Sequence, residues 1–382
     1  MKKFLPYGKQ FIDQSDIDAV VNVLKSDYLT QGPVIGQFES AFKETVGAKF
    51  AVAVSNGTAA LQLSLLALDI GPGDEVITTP NSFLATSNAI LYVGATPVFV
   101  DIELNQFGID PTKIEAAITN KTKAIIPVHF AGFPVDLELI HEIANKYNLK
   151  VIEDSCHALG AKYKESNIGS CAYSDCSTFS FHPVKHIATG EGGMITTNSN
   201  DVYQKLLTLR THGVTKDSNQ LTQNPGPWYY EMQTLGFNYR MTDIQAALGC
   251  SQLKKLTSFV KRRREIAKQY DAVFSGSDLI KPIKEQVHHW CSYHLYVVQI
   301  DFDSIGKNRA DVINELKDNG IGTQVHYIPI IDQPYYKENV KVTGNFKHCR
   351  AYYKQALSLP MYPLMDDEDV KKVVEALIGI YK

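Results

Sequence analysis

The sequence predicts an α/β fold: a large domain with a mainly parallel central sheet flanked by helices, followed by a small C-terminal α+β domain. Three observations carry this expectation. Between about residues 50 and 197, short β-branched runs alternate with helical patterns, as stacked strand–helix–strand units do. A chain of 382 residues exceeds what a single hydrophobic core usually holds. The helical pattern from Met241 to about Phe274 is long enough to bridge from one domain to another. The expected division is residues 1–255, holding the N-terminal segment and large domain, and residues 256–382, the small domain.

Taken in order, the first 40 residues hold a helix over Ser15 to Ser26 and the loop Tyr28-Leu29-Thr30-Gln31-Gly32-Pro33, which pattern alone assigns to neither domain. The strand Phe50 to Val54 runs through Ser55-Asn56-Gly57 into an apolar helix ending near Leu68. Glu75 to Thr78, Thr96 to Asp101, Lys123 to Val128 and Lys150 to Asp154 are the next strands, with turns at Gly71-Pro72-Gly73-Asp74 and Gly94-Ala95-Thr96-Pro97. Strands Cys176 to Phe181 and Met194 to Thr197 flank a loop containing Gly190, Gly192 and Gly193. Beyond the long helix come a strand from His294 to Ile300, a helix from Arg309 to Asn319, a strand from Gly322 to Val325 and a helix from Asp366 to Ile380.

Composition excludes several classes. Hydrophobic residues at 44%, charged at 21% and aromatic at 10% describe a folded globular chain. A net charge of −3 gives no bulk electrostatic reason to bind nucleic acid or an anionic membrane. The basic run Lys261-Arg262-Arg263-Arg264 reads as a solvated helix face. Six cysteines without Cys-x-x-Cys spacing read as buried free thiols in a reducing compartment, and His288-His289 lacks a third ligand at metal spacing. No apolar run suits a signal peptide or a membrane span, so the expected location is cytoplasmic.

The chemistry gathers around Lys185, in Ser180-Phe181-His182-Pro183-Val184-Lys185-His186-Ile187-Ala188-Thr189-Gly190-Glu191-Gly192-Gly193, and Asp154, at a strand's carboxyl end. Pyridoxal phosphate (PLP) needs such a pair: an amine to hold its aldehyde as a Schiff base, and a carboxylate beside the pyridine nitrogen. A loop between two buried strands desolvates the lysine and favours its neutral, nucleophilic form. Asp154 stands where ligands of open α/β sheets bind. The segment Ser55-Asn56-Gly57-Thr58 opens a helix whose N-terminus suits a phosphate, and Thr58 and Ser180 add hydroxyls. An ordinary N-cap would use the same residues.

In order along the chain, Asn56-Gly57-Thr58-Ala59-Ala60-Leu61, Asn81 to Ile90, Gly94 to Asp101, Glu153-Asp154-Ser155-Cys156-His157-Ala158, the lysine loop and Leu235 to Ala247 resemble the DegT/DnrJ/EryC1/StrS aminotransferases. That resemblance spans nearly the whole chain and implies the aspartate-aminotransferase-like architecture, PLP fold type I. It further implies that Lys185 forms the Schiff base and Asp154 meets the ring nitrogen. Phe83 would lie against the ring; Thr58, Ala59 and Ser180 would hold the phosphate. Asn238 would reach the phosphate in the partner subunit, which requires a homodimer. His157 stands where many relatives carry glutamine near the cofactor's hydroxyl oxygen.

The His-Pro-Val-Lys-His motif, Tyr7 and the Leu29-Thr30-Gln31-Gly32 loop resemble the branch serving pseudaminic acid synthesis. That likeness implies transfer from L-glutamate to a UDP-linked 4-keto-6-deoxy-N-acetyl hexose, with Tyr7, Thr30, Gln31, His326 and Tyr327 on the sugar nucleotide. A GDP- or dTDP-linked keto sugar is the alternative acceptor. A related sugar dehydratase would carry histidine in place of Lys185, and a non-enzymatic homologue would have lost Lys185 or Asp154; this sequence keeps both.

Overall fold

The computed structural model describes residues 4–380. Two helices come first, α1 (Gln14–Leu24) and α2 (Pro33–Val46). Asp13 and Asp16 close a capping box on α1. Helix α2 was not legible from the pattern around Pro33, which looked like the end of a loop. Proline occupies the first turn of α2, where its missing N–H costs nothing, and Ile35, Phe38, Phe42 and Val46 bury one face. The preceding loop is tied to the large sheet's side of the molecule: the buried Asp243 carboxylate accepts from the amides of Gly32 at 2.8 Å and Val34 at 3.0 Å.

Strand and helix then alternate: β1 (Phe50–Val54), α3 (Gly57–Ala67), β2 (Glu75–Thr78), α4 (Leu84–Tyr92), β3 (Thr96–Phe99), β4 (Thr122–Ile125), α5 (Leu137–Tyr147) and β5 (Lys150–Asp154). A short hairpin of β6 (Lys162–Tyr163) and β7 (Ser166–Asn167) precedes β8 (Cys176–Ser180), β9 (Gly193–Thr197) and α6 (Asn200–Arg210). The seven-stranded sheet has the order β1-β9-β8-β5-β4-β2-β3. Pairing is parallel from β8 through β3, whereas β9 runs antiparallel to both β1 and β8. One face buries Val52, Val54, Leu61, Leu65 and Ile195; the other buries Phe38, Phe42, Phe179 and Met194 beside Ile77, Ile125 and Ile140. Buried on both faces, the parallel strands β8, β5, β4, β2 and β3 point their carboxyl ends toward one side of the molecule.

The chain next projects a loop pinned by β10 (Val214–Thr215) and β11 (Glu231–Met232). What the sequence presents as one helical run to Phe274 is two helices, α7 (Asp243–Leu253) and α8 (Leu256–Phe274), interrupted at Lys254-Lys255. After β12 (Ile280–Pro282) and β13 (His289–Trp290), strand β14 (Tyr296–Ile300) lies between β12 and β15 (Ala356–Leu359) in a three-stranded antiparallel sheet. Helices α9 (Arg309–Asp318), α10 (Pro334–Asn339), α11 (Lys347–Gln355) and α12 (Asp367–Gly379) complete the chain. The expected strand at 322–325 is reduced to one bridge, Gln324 to Ser358.

The basic run departs from the solvated face that its charge suggests. Arg263 is 1% exposed, and its Nη1 donates to the carbonyls of Tyr293, His294 and Met361 at 3.2, 3.1 and 2.9 Å. Three carbonyls replace water around the guanidinium, while burial brings its pKa down to about 10. Its neighbours pair outward, Arg262 with Asp367 and Arg264 with Glu285, each at 2.8 Å.

Candidate active site

A cavity of about 1080 Å³ opens at the carboxyl ends of the parallel strands. Its floor begins at the β1–α3 turn. Asn56 caps α3 by accepting the Ala59 amide on Oδ1 at 2.8 Å, so the cap reading holds and the Ala59 amide is already engaged. The Gly57 and Thr58 amides, in the first turn, have no intrahelical acceptor. Glycine is required at 57, because a Cβ there would stand 2.9 Å from Cβ of Ser180. The helix N-terminus is thereby brought against the end of β8, with the Thr58 and Ser180 hydroxyls both on the cavity wall.

Asp154 ends β5 in the same cavity, and its orientation is fixed from two sides. Thr86 Oγ1 donates to Oδ2 at 2.7 Å, and the Cys156 amide donates to Oδ1 at 3.2 Å. With the Thr86 proton committed to the carboxylate, Ser82 Oγ is the donor in its 2.7 Å contact with Thr86. Lys185 projects from the loop joining the antiparallel pair β8 and β9, in a turn closed by its amide on the His182 carbonyl at 2.8 Å. Burial lowers its pKa below the ordinary lysine value, against the opposing pull of Cys156 and Asp154.

His157 follows three residues after Asp154. Its Nδ1 accepts the Ala131 amide at 3.3 Å and its Nε2 lies 3.1 Å from the Tyr327 hydroxyl. Burial, then the charges of Lys185, His326 and His186, push its pKa well below the usual histidine range. His326 is similarly displaced to about 3 by burial and by Lys185; its Nδ1 is 2.7 Å from Ser358 Oγ, and its ring lies 5.4 Å from that of Tyr7. Phe83 stands at the mouth, 59% exposed, with its ring 6.2 Å from that of Tyr327.

The cavity therefore collects Tyr7, Thr58, Ala59, Phe83, Asp154, His157, Ser180, Lys185, His326 and Tyr327. Thr30, Gln31 and Asn238 do not line it within this chain: Thr30 bridges to Thr242, and Asn238 bridges to Thr211 at the base of the projecting loop. Sequence reasoning missed Thr86, Cys156, His294 and Tyr239. Thr86 sits inside a segment that the resemblance had singled out, yet its partner is 68 residues away and no local pattern connects them.

This donor set fits pyridoxal phosphate part by part. Two open helix amides and two hydroxyls suit the phosphate, Asp154 suits the pyridine nitrogen, and the Lys185 amine suits the aldehyde. Among the described residues, no cluster of histidine, cysteine and carboxylate side chains could hold a metal ion, and no helix is long and apolar enough to cross a membrane.

Comparison with known proteins agrees. The family model for DegT/DnrJ/EryC1/StrS aminotransferases matches residues 10–378. The spore coat polysaccharide biosynthesis protein SpsC of Bacillus subtilis is 45% identical over 383 residues, covering 99% of this chain and 97% of that one. Among solved structures, Helicobacter pylori PseC, an aminotransferase involved in the biosynthesis of pseudoaminic acid, superposes with a TM-score of 0.91 at 33% identity, covering 99% of each chain. The PLP form of Spr1654 from Streptococcus pneumoniae gives 0.91 at 32% identity, covering 99% of this chain and 98% of that one.

Proposed function

The chain belongs to the DegT/DnrJ/EryC1/StrS aminotransferase family and is a PLP-dependent aminotransferase of fold type I, and on that premise we propose that its acceptor is a nucleotide sugar. The amino group of L-glutamate is transferred to C4 of a UDP-linked 4-keto-6-deoxy-N-acetyl hexose, giving UDP-4-amino-4,6-dideoxy-N-acetyl-β-L-altrosamine for pseudaminic acid synthesis. The likeness to PseC supports this choice, together with the His182-Pro183-Val184-Lys185-His186 motif. One observation carries the reaction type: Lys185 and Asp154 share a cavity with the N-terminus of α3.

When bound, the cofactor supplies an aldehyde that carries the amino group and a ring that takes up electrons. Thr58, in the helix turn that also carries Ala59, and Ser180 would hold its phosphate, Phe83 would cover the ring, and Asp154 would pair with the ring nitrogen in an orientation set by Thr86 and the Cys156 amide. Lys185 Nζ, its pKa lowered by burial, removes the proton at Cα of the amino donor and returns one at C4 of the sugar. Tyr7, His326 and Tyr327 face the sugar nucleotide. Thr30, Gln31 and Asn238 complete the site across a homodimer. The projecting loop beside Asn238 supports that assembly, since Trp228 and Leu235 are 71% and 75% exposed and Tyr230 and Met232 are exposed as well. The protein works in the cytoplasm, with residues 1–255 carrying the cofactor and 256–382 closing the substrate side.

A GDP- or dTDP-linked 4-keto sugar is the alternative acceptor. Matched assays with UDP-, GDP- and dTDP-linked acceptors separate the two. For the reaction itself, Lys185→Ala is expected to abolish glutamate-dependent amination while leaving the protein folded by circular dichroism. Appreciable turnover by that variant overturns the proposal.

A further inference from the structure

We propose that Tyr327 is a hydrogen-bond donor to an oxygen atom bound in the cavity, and that His157 is the positioning residue that fixes this direction by holding one tautomer. The inference rests on the reading of the cavity as the transamination site and adds to it the sense of one hydrogen bond.

The direction follows from a group that can only donate. The main-chain amide of Ala131 lies 3.3 Å from His157 Nδ1, so that nitrogen must present its lone pair. A neutral imidazole then carries its proton on Nε2, which faces the Tyr327 hydroxyl at 3.1 Å. The tyrosine oxygen is thus the acceptor in that contact, and the phenol's own proton has to go elsewhere. Among the described residues its hydroxyl has no second hydrogen-bond partner, and the residue lines the cavity. An oxygen in the bound contents is the acceptor that remains.

The surroundings hold this arrangement. Ala131 has φ of 57°, and the next residue, Gly132, is packed so closely that a Cβ on it would stand 2.9 Å from the His157 carbonyl oxygen. The Ala131 amide is therefore locked against the histidine backbone. The His294 ring lies 4.3 Å from the imidazole and restrains its rotation. Lys185, His326, His186 and His294 all face His157, and with burial they oppose a second proton on it. Burial likewise keeps the Tyr327 phenol protonated, since its pKa is raised well above the ordinary value.

Two oxygens could receive the proton: the cofactor's ring hydroxyl, or an oxygen of the substrate. Tyr327→Phe removes only the donor, and three readouts on the holoenzyme separate the sources. A shift in the pH titration of the visible absorbance band assigns the cofactor oxygen. An unshifted band with kcat/KM lowered about tenfold in the glutamate half-reaction, or in the half-reaction with whichever keto sugar the wild type converts, assigns the substrate. If the wild type converts no sugar, the reading of the acceptor fails by itself and the first two readouts decide. No shift in the band and less than a twofold change in every half-reaction overturns the role of Tyr327.

The role of His157 is tested in parallel. Glutamine can accept from Ala131 and donate to Tyr327, whereas phenylalanine can do neither. His157→Gln is expected to keep the wild-type response to Tyr327→Phe, and His157→Phe to abolish it. Equal responses in both backgrounds overturn the positioning role.

Discussion

Lys185 and Asp154 owe their properties to opposite surroundings: the amine is desolvated, while both carboxylate oxygens receive donors. Both residues stood out in the sequence because each is next to a strand end. Thr86 did not, since its contact with Asp154 exists only once β5 and α4 are packed together. Thr86→Val is expected to weaken PLP binding roughly tenfold or more, the scale of one hydrogen bond to a charged group; equilibrium dialysis reads it, and an unchanged affinity would refute the role given to Thr86. Arg263 was equally hidden, because charge in a sequence does not reveal three waiting carbonyls. The buried histidines give a pH dependence with a definite sign. His326 titrates near 6.5 when unfolded and at about 3 when folded, so between these values the unfolded chain binds the extra proton. The stability held by keeping it neutral is present above about 6.5 and is lost as pH falls toward 3. His157, His186 and His294 are displaced in the same direction. The urea midpoint is expected to drop on acidification from about pH 7 to about 5, less steeply in His326→Asn; a flat profile would contradict it.

At the scale of elements, the turn from β1 into α3 is where sequence and site coincide. Asn56 caps and Gly57 permits the close approach to Ser180, and both were visible as an ordinary helix start. Gly57→Ala forces the start of α3 away from the end of β8. It is expected to lower cofactor affinity more than it lowers the melting temperature of the apoprotein; the reverse ranking would mean that the glycine serves packing and not the cradle. Asn56→Ala should cost about 1 kcal/mol of stability through the lost cap, measured by urea unfolding. Elements that sequence reasoning missed share a cause. Helix α2 begins on a proline that also suits a loop, β12 and β15 are only three and four residues long, and the α7–α8 break falls between two lysines that are good helix formers. Local preference was ambiguous at Pro33 and in the short strands and favoured helix at the lysines, so tertiary contacts decided.

For the whole molecule, the alternating pattern from 50 to 197 was enough for the α/β architecture, because parallel strands buried on both faces leave continuous apolar runs. It was not enough for the antiparallel insertion of β9, which pairs with β1 across 139 residues (193 − 54). That insertion makes the Lys185 loop a connection between neighbouring strands, which holds the lysine beside the carboxyl end of β8, on the cavity wall. The exposed apolar side chains of the projecting loop belong to the same scale. Replacing both Trp228 and Leu235 with aspartate is expected to shift the sedimenting species from dimer to monomer, with activity falling in step; a monomeric wild type would contradict the assembly. The central claim is the covalent attachment of the cofactor at one lysine. Borohydride reduction of the holoenzyme, followed by proteolysis and mass spectrometry, should place the pyridoxyl phosphate adduct on the peptide containing Lys185 and bleach the visible band. An adduct on any other lysine, or a band that survives reduction, would contradict it.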